Sequence, residues 1–424
     1  MKLKHACTVY GDYGLNISAD EYVEDGIPLI RTSDFDDRGK LNLANAKAVP
    51  REAATGKLLR RGDILFSRAG TIGRCLVINE DIEVTFAAYL VRFRPHPQKL
   101  DSRFVQHWAQ SDIFWSQIRI DTIESTIGNF NATKLSSLAL PPVELQAQRA
   151  IAEFLDDQTA RIDQLVEKRE AFLALIEEKK QTLAAKAVSG ELIVGNTRSG
   201  PEGWFGRLPS GWSVRRAKFL FRERQDRSDS GDEELLTVSH ITGVTRRSEK
   251  DVNMFLAESQ EGYKLVCRGD IVINTMWAWM GAMGVSPVDG LISPSYGVYN
   301  PTTDHFVPEY IELLLRSRPF ITEVNRRSKG VWSSRLRLYP DAFLDILLPV
   351  PSREEQEEIL TALGKATLRE EKLASLSRQS LDRLREFRSA LITAAVTGQI
   401  DVTTWTKRGE VDRRLDQIEE AMRA

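Results

Sequence analysis

The chain has 424 residues, too many for one ordinary core, and its 42% hydrophobic content suffices for two globular units plus extended helices. Its 58 basic and 60 acidic residues give a net charge of -2, which excludes a histone-like polycation, so any nucleic-acid contact must come from local patches. Three scattered cysteines, Cys7, Cys75 and Cys267, argue against a disulfide framework or a zinc ribbon and are expected as buried free thiols. No apolar leader opens the chain, and no run approaches the roughly 18 to 20 apolar residues of a membrane helix, so a cytoplasmic protein is expected.

From the N-terminus, residues 1–142 set short β-branched and aromatic runs, such as Asp63-Ile64-Leu65-Phe66 and Leu90-Val91-Arg92-Phe93, between Gly and Pro punctuation. That pattern predicts a mixed α and β head. Its candidate contact residues are Arg31, Ser67, Arg68, Thr71, Arg74 and Lys134, with the amides Asn129 and Asn131. An amide side chain pairs with an adenine edge, and in a Gly-Asn-Phe-Asn turn it equally serves backbone geometry. After Pro141-Pro142 the chain runs without Gly or Pro from Glu144 to Ser189, which predicts one long helix within residues 143–190. Steps of four and three through Ile151, Leu155, Gln158, Ile162, Leu165, Arg169, Phe172, Ile176, Lys179 and Leu183 are mostly apolar, a seam that requires a partner helix.

Residues 191–350 read as a linker and a second head, and residues 351–400 as a second long helix. The helix offers Leu373, Leu376, Ser380, Leu384, Phe387 and Leu391 to the pairing. About forty residues at roughly 1.5 Å each make a rod on the order of 60 Å. In the second head, Asn274, Trp277 and Trp279 follow the Asp270-Ile271-Val272-Ile273 strand. These tryptophans suit either a wedge against nucleic acid or a core seal. Between Arg316 and Arg337 lie Arg318, Arg326, Arg327, Lys329 and Arg335, interleaved with Phe320 and Trp332 and opposed by one acid, Glu323. Such a run neutralises phosphates and grips guanine edges, or forms a solvated surface. A second basic run, from Arg215 to Arg227, is more mixed with acids. In the tail, residues 401–424, Leu415, Ile418 and Met422 suggest a short amphipathic helix.

The two halves are copies. Arg61-Gly62-Asp63-Ile64-Leu65 returns as Arg268-Gly269-Asp270-Ile271-Val272 at an offset of about 207 positions, and Tyr89 returns as Tyr296. Leu140-Pro141-Pro142 with Gln148 and Ile151 returns as Leu348-Pro349-Val350 with Gln356 and Ile359. Ala187-Val188-Ser189-Gly190-Glu191-Leu192 returns as Ala395-Val396-Thr397-Gly398-Gln399-Ile400. Four matches in order at a nearly constant offset indicate one duplicated unit. The expected fold is therefore α+β: two mixed heads separated by two long antiparallel helices in a coiled coil, with an internal pseudo-twofold repeat. An intramolecular pair is more economical than pairing with a second molecule.

Catalytic signatures are absent. The sequence has no GxxxxGK[ST] phosphate loop, no glycine-rich cofactor fingerprint and no Asn-Pro-Pro-aromatic or Asp-Pro-Pro-aromatic tetrapeptide, and its five histidines lack metal-binding spacing. What remains is binding chemistry, either to duplex DNA or, in a coiled-coil scaffold or adaptor, to protein.

Head, proline step, long helix, second head, proline step and second helix, with Arg-Gly-Asp-Ile-Leu and the Gln-bearing helix start, resemble the specificity subunit of type I restriction-modification systems along nearly the whole chain. The resemblance implies that each head reads one half of a split DNA sequence, that the helices set the unread spacer, and that residues 67–73 and 274–284 face the DNA. It also implies two methyltransferase subunits docked along the helices, and motor-nuclease subunits in the full complex. S-adenosylmethionine, ATP and Mg2+ would then belong to those partners, with no cofactor in this chain. The unequal loops imply an asymmetric target.

Overall fold

The computed structural model describes residues 1–123, 130–192, 197–199, 203–250, 259–330, 336–402, 415–418 and 420. The chain divides into two units, Met1–Ala171 with Arg378–Ala424, and Phe172–Ser377.

The first unit carries strands β1 (Cys7–Tyr13), β2 (Ile27–Ile30), β3 (Lys47–Val49), β4 (Ile64–Ser67), β5 (Cys75–Val77), β6 (Thr85–Phe86) and β7 (Leu90–Pro95). Helices α1 (Ser102–Trp108), α2 (Asp112–Ile123) and α3 (Ala132–Ser137) follow, then the 44-residue α4 (Leu145–Val188), whose last turns belong to the second unit. The main sheet has the order β1-β7-β4-β5, and a smaller one the order β3-β2-β6. Ile64, Leu65 and Phe66 are all buried because β4 lies inside its sheet with both faces covered.

The second unit carries β8 (Thr197–Ser199), β9 (Arg207–Pro209), β10 (Ser213–Arg216), β11 (Phe221–Glu223), β12 (Leu236–Ser239), β13 (Gly243–Arg246) and β14 (Lys264–Val266). It continues with β15 (Ile271–Ile273), β16 (Met283–Val285), β17 (Gly290–Ile292) and β18 (Gly297–Pro301). Helices α5 (Pro308–Arg316), α6 (Arg318–Arg327) and α7 (Pro340–Leu344), strand β19 (Leu347–Val350) and the 44-residue helix α8 (Arg353–Val396) complete the described elements. Its main sheet has the order β11-β18-β15-β16, matching the first unit strand for strand, so the duplication read from the sequence is a duplication of architecture.

The repeated motifs are structural. Gly62 and Gly269 sit at φ 88° and 93°, a region that favours glycine, inside turns closed by Asp63 N–H to Arg60 O at 2.9 Å and Asp270 N–H to Cys267 O at 3.0 Å. The aspartate side chains are buried and each takes an arginine: Arg94 bonds Asp63 at 2.6 and 2.7 Å, and Arg224 bonds Asp270 at 2.8 and 3.4 Å. Hydrogen bonding to Asp63 raises the Arg94 guanidinium further above its ordinary value, so it stays charged.

Gln148 and Gln356 are also buried and do the same work. The Gln148 amide donates to Val143 O at 2.8 Å and Lys99 O at 3.3 Å, and accepts from Asp101 N–H at 3.0 Å. Gln356 donates to Pro351 O at 3.1 Å and His305 O at 2.7 Å, and accepts from Val307 N–H at 2.7 Å. Each glutamine thereby ties the start of a long helix to the chain leaving its head. Both long helices stop alike, at Gly190 and Gly398, with φ 77° and 75°.

Segments of α4 and α8 pair within each unit. In the first, Arg388 bonds Asp163 at 2.9 Å and Arg385 bonds Glu170 at 2.9 Å, so the numbering runs antiparallel. Here Ile151, Leu155, Ile162 and Leu165 are buried on α4, and Leu384 and Leu391 on α8. In the second, Lys179 bonds Glu370 at 2.6 Å, and Ile176 is buried.

Two expected packing residues are not buried: Phe172 is 36% and Leu376 is 53% exposed. The buried positions of this stretch of α8 are Glu370, Ala374, Ser377, Leu381 and Leu384, a four-three series that passes through polar side chains and bypasses Leu376. Leu373, Phe387 and Leu183 are half-buried. In the tail, Leu415 is buried and Asp416 pairs with Arg161, while Met422 lies outside the described residues. Among the described residues no helix is long and apolar enough to cross a membrane.

Cys7 and Cys75 are shielded, but Cys267 is exposed, contrary to expectation, because it opens the Gly269 turn. Burial pushes the Cys7 thiol up to about 12, and the fully buried Cys75 is raised as well. Near pH 7 these two are unreactive thiols. Titration with an aromatic disulfide reagent should therefore find a single fast-reacting thiol in the native chain, with the others reacting only in denaturant. Two or more fast thiols would contradict this packing.

Candidate nucleic-acid interface

In the first unit, the loop after β4 is closed by Ser67, whose buried hydroxyl donates to Thr71 O and accepts from Arg74 N–H at 3.0 Å. Arg68 continues the chain outward. Its N–H bonds Tyr89 O at 3.0 Å, its O accepts from Phe130 N–H at 3.2 Å, and its Nε bonds Ala88 O at 3.0 Å. The Arg68 guanidinium stands 5.1 Å from the centre of the Tyr13 ring, whose hydroxyl accepts from Ala132 N–H at 3.1 Å. Asn131 caps α3 through Lys134 N–H at 3.0 Å, and Lys134 Nζ lies 5.8 Å from the Phe130 ring.

These contacts gather Arg68, Thr71, Asn131 and Lys134, as the sequence suggests, with two residues it did not single out for contact, Tyr13 (39% exposed) and Tyr89 (60% exposed). The available signal for Tyr89 was its recurrence as Tyr296. Ser67 does not face outward and its hydroxyl is engaged, which corrects its reading as a contact residue. Arg31 and Arg74 brace the head instead. Arg31 forks onto Asp34 at 3.0 and 2.9 Å, and Arg74 bonds Asp37 at 2.6 Å, Thr32 O at 3.1 Å and Phe35 O at 3.2 Å.

The second unit repeats this construction after β15. Leu338 N–H bonds Thr275 O at 3.0 Å, the counterpart of the Phe130 to Arg68 bond at nearly the same sequence offset. Asn274 is buried and donates to the Tyr296 hydroxyl at 2.9 Å, so it holds the loop and is not a surface amide. The two tryptophans separate. Trp279 is half-buried with its indole N–H on Met276 O at 3.0 Å, whereas Trp277 is 50% exposed.

Lys329 and Arg337 exchange backbone hydrogen bonds at 2.9 Å beside this loop, and both are exposed. Arg326 and Arg327 both bond Glu323, and Arg327 also reaches Asp345 at 3.3 Å. Burial pushes the Glu323 carboxyl up, but hydrogen bonds from the two arginines outweigh it and hold it below the usual carboxylate range. The basic run is thus partly neutralised from within. Asn129, Trp332 and Arg335 lie outside the described residues. Among the described residues no group of three or more His, Cys, Asp or Glu side chains is placed to hold a metal ion.

Two heads share one architecture, each presenting a differently composed aromatic and basic loop from the same sheet position. Residues 7–173 match the family described as the type I restriction modification DNA specificity domain. Among curated proteins, the chain is 27% identical over 183 residues to the type I restriction enzyme EcoBI specificity subunit of Escherichia coli, covering 42% of this chain and 38% of that protein. It is 20% identical over 409 residues to the EcoKI specificity subunit of Escherichia coli K12, covering 92% and 85% respectively. The StySPI subunit of Salmonella potsdam is 23% identical, with 43% of this chain and 39% of that protein covered. The match thus spans about two fifths of the length of the EcoBI and StySPI relatives. A solved chain described under complex assembly and conformational transition of the type I R-M system shares the fold, with a TM-score of 0.69 at 15% identity over 94% of this chain and 97% of that one. Residues 7–173 are thus similar to the type I specificity domain, and most of the chain is similar, at low identity, to a type I specificity subunit.

The structure separates residues that hold the loop from residues that face outward. Replacing the buried Ser67 by alanine removes the hydroxyl that holds Thr71 O and Arg74 N–H and should cost about 1 kcal/mol in urea denaturation. Tyr89→Ala should leave the midpoint unchanged. Equal losses would contradict the assignment.

Proposed function

We propose that this chain is the DNA sequence-specificity subunit of a type I restriction-modification assembly, recognising an asymmetric, bipartite double-stranded target. The observation that carries the reading is the equivalence of the two loops. The same backbone bond anchors each beside its sheet, yet Arg68, Thr71, Tyr89 and Lys134 stand at one and Met276, Trp277, Lys329 and Arg337 at the other. One frame with two different surfaces suits the reading of two unlike half-sites.

In this reading residues 1–142 and 191–350 are the target-recognition domains, residues 143–190 and 351–400 supply the spacer, and residues 401–424 form a tail. Adenine-N6 methylation from S-adenosylmethionine belongs to two partner methyltransferase subunits. ATP- and Mg2+-dependent translocation and cleavage belong to partner restriction subunits, and this chain contributes recognition in the cytoplasm without catalysis.

Phosphate contacts make affinity fall linearly with salt on logarithmic axes. The assembly purified from its host should show that slope on duplex DNA. Arg68→Ala and Lys134→Ala should each weaken binding and reduce the slope by about one. Salt-independent binding, or none, would favour the protein-binding scaffold.

A further inference from the structure

We propose that Met276 and Trp277 form a wedge that enters the base stack of the half-site read by the second unit, so that this half is recognised through its deformability as well as its base edges. The inference rests on the DNA reading above and adds to it a mode of contact confined to one head.

Four observations carry it. First, the two side chains are adjacent, large, apolar and exposed, Met276 at 37% and Trp277 at 50%. Second, the loop that presents them is braced from several directions. Asn274 Oδ1 accepts from Met276 N–H at 3.3 Å, the Trp277 carbonyl accepts from Met280 N–H at 3.0 Å and Ala282 N–H at 3.2 Å, and Thr275 Oγ1 donates to Ser295 O at 2.9 Å. Gly281, at φ 93°, ends the short turn that carries Trp279 back into the loop. A wedge must be held firmly to pass its load to a base step, and these hydrogen bonds brace the backbone that carries it.

Third, cations flank the apolar tip. Met276 and Trp277 share the lining of a cavity of about 470 Å³ with Arg247 and Lys250. The hydrogen bond from Leu338 to Thr275 brings the Lys329–Arg337 pair alongside. Phosphates gripped on either side of an apolar tip are what partial unstacking requires, because charge holds the backbone while the side chain replaces a stacking partner.

Fourth, the equivalent loop of the first unit does not carry the pair. It reads Arg68-Ala69-Gly70-Thr71 at that place, and the exposed aromatic residues beside it, Tyr13 and Tyr89, come from outside that loop. The counterpart of Tyr89, Tyr296, is instead occupied by Asn274. The second half-site should therefore favour easily unstacked pyrimidine–purine steps, while the first does not depend on them.

The test is a 2-aminopurine scan across both halves of the target duplex, with the assembly carrying either the wild-type chain or Trp277→Ala. The wild type should raise fluorescence at one step in one half only. Trp277→Ala should abolish that rise and weaken binding about 10- to 100-fold. A mismatch at the same step should restore much of the variant's affinity, since the unstacking is then already present. A tightly bound wild type that unstacks no step, or a variant that binds as tightly as the wild type, would overturn the wedge and leave the DNA reading intact. A wild type without salt-sensitive duplex affinity would overturn both.

Discussion

Each head depends on a buried glutamine at the start of its long helix. An amide has donors and an acceptor on one planar group, so Gln148 closes the loop before α4, the loop before α1 and the Asp101 N-cap in a single contact set. Gln356 does this in the second unit. A glutamate would lose the donors, and an apolar residue would strand buried backbone groups. The helix direction is therefore fixed relative to the chain leaving the sheet of its own head. The aspartate of each repeated turn is held by an arginine from elsewhere in its sheet region, Arg94 on β7 for Asp63 and Arg224 just after β11 for Asp270.

With those anchors in place, the loop after the central strand is free to vary. Its backbone is tied to the frame by hydrogen bonds that include one to the segment before α3 or α7. Ser67 and Asn274 are buried braces at equivalent positions, and beyond them the side chains diverge. A scaffold that constrains main chain and leaves side chains unconstrained can change what it recognises without changing how it folds.

The repeat, both long helices and their ends were legible in the sequence, because Gly and Pro mark breaks and the copies check one another. The packing register of α8 was harder to see. Its buried positions include Glu370 and Ser377, and a search for leucines steps onto Leu376 instead. The basic run looked freer than it is. Glu323 lies three and four residues before Arg326 and Arg327, a helical spacing that lets one carboxylate take both. Asp34, likewise three residues from Arg31, already hinted that this arginine was engaged. Which of two neighbouring tryptophans faces outward depends on the fold of a single turn, which no periodicity encodes.

The most direct measurement is a genome-wide map of N6-methyladenine in the host with and without this gene. The account predicts that deletion removes one motif, split into two unlike halves around a fixed spacer, and leaves other methylation untouched. An unchanged map in cells shown to express the protein would contradict it.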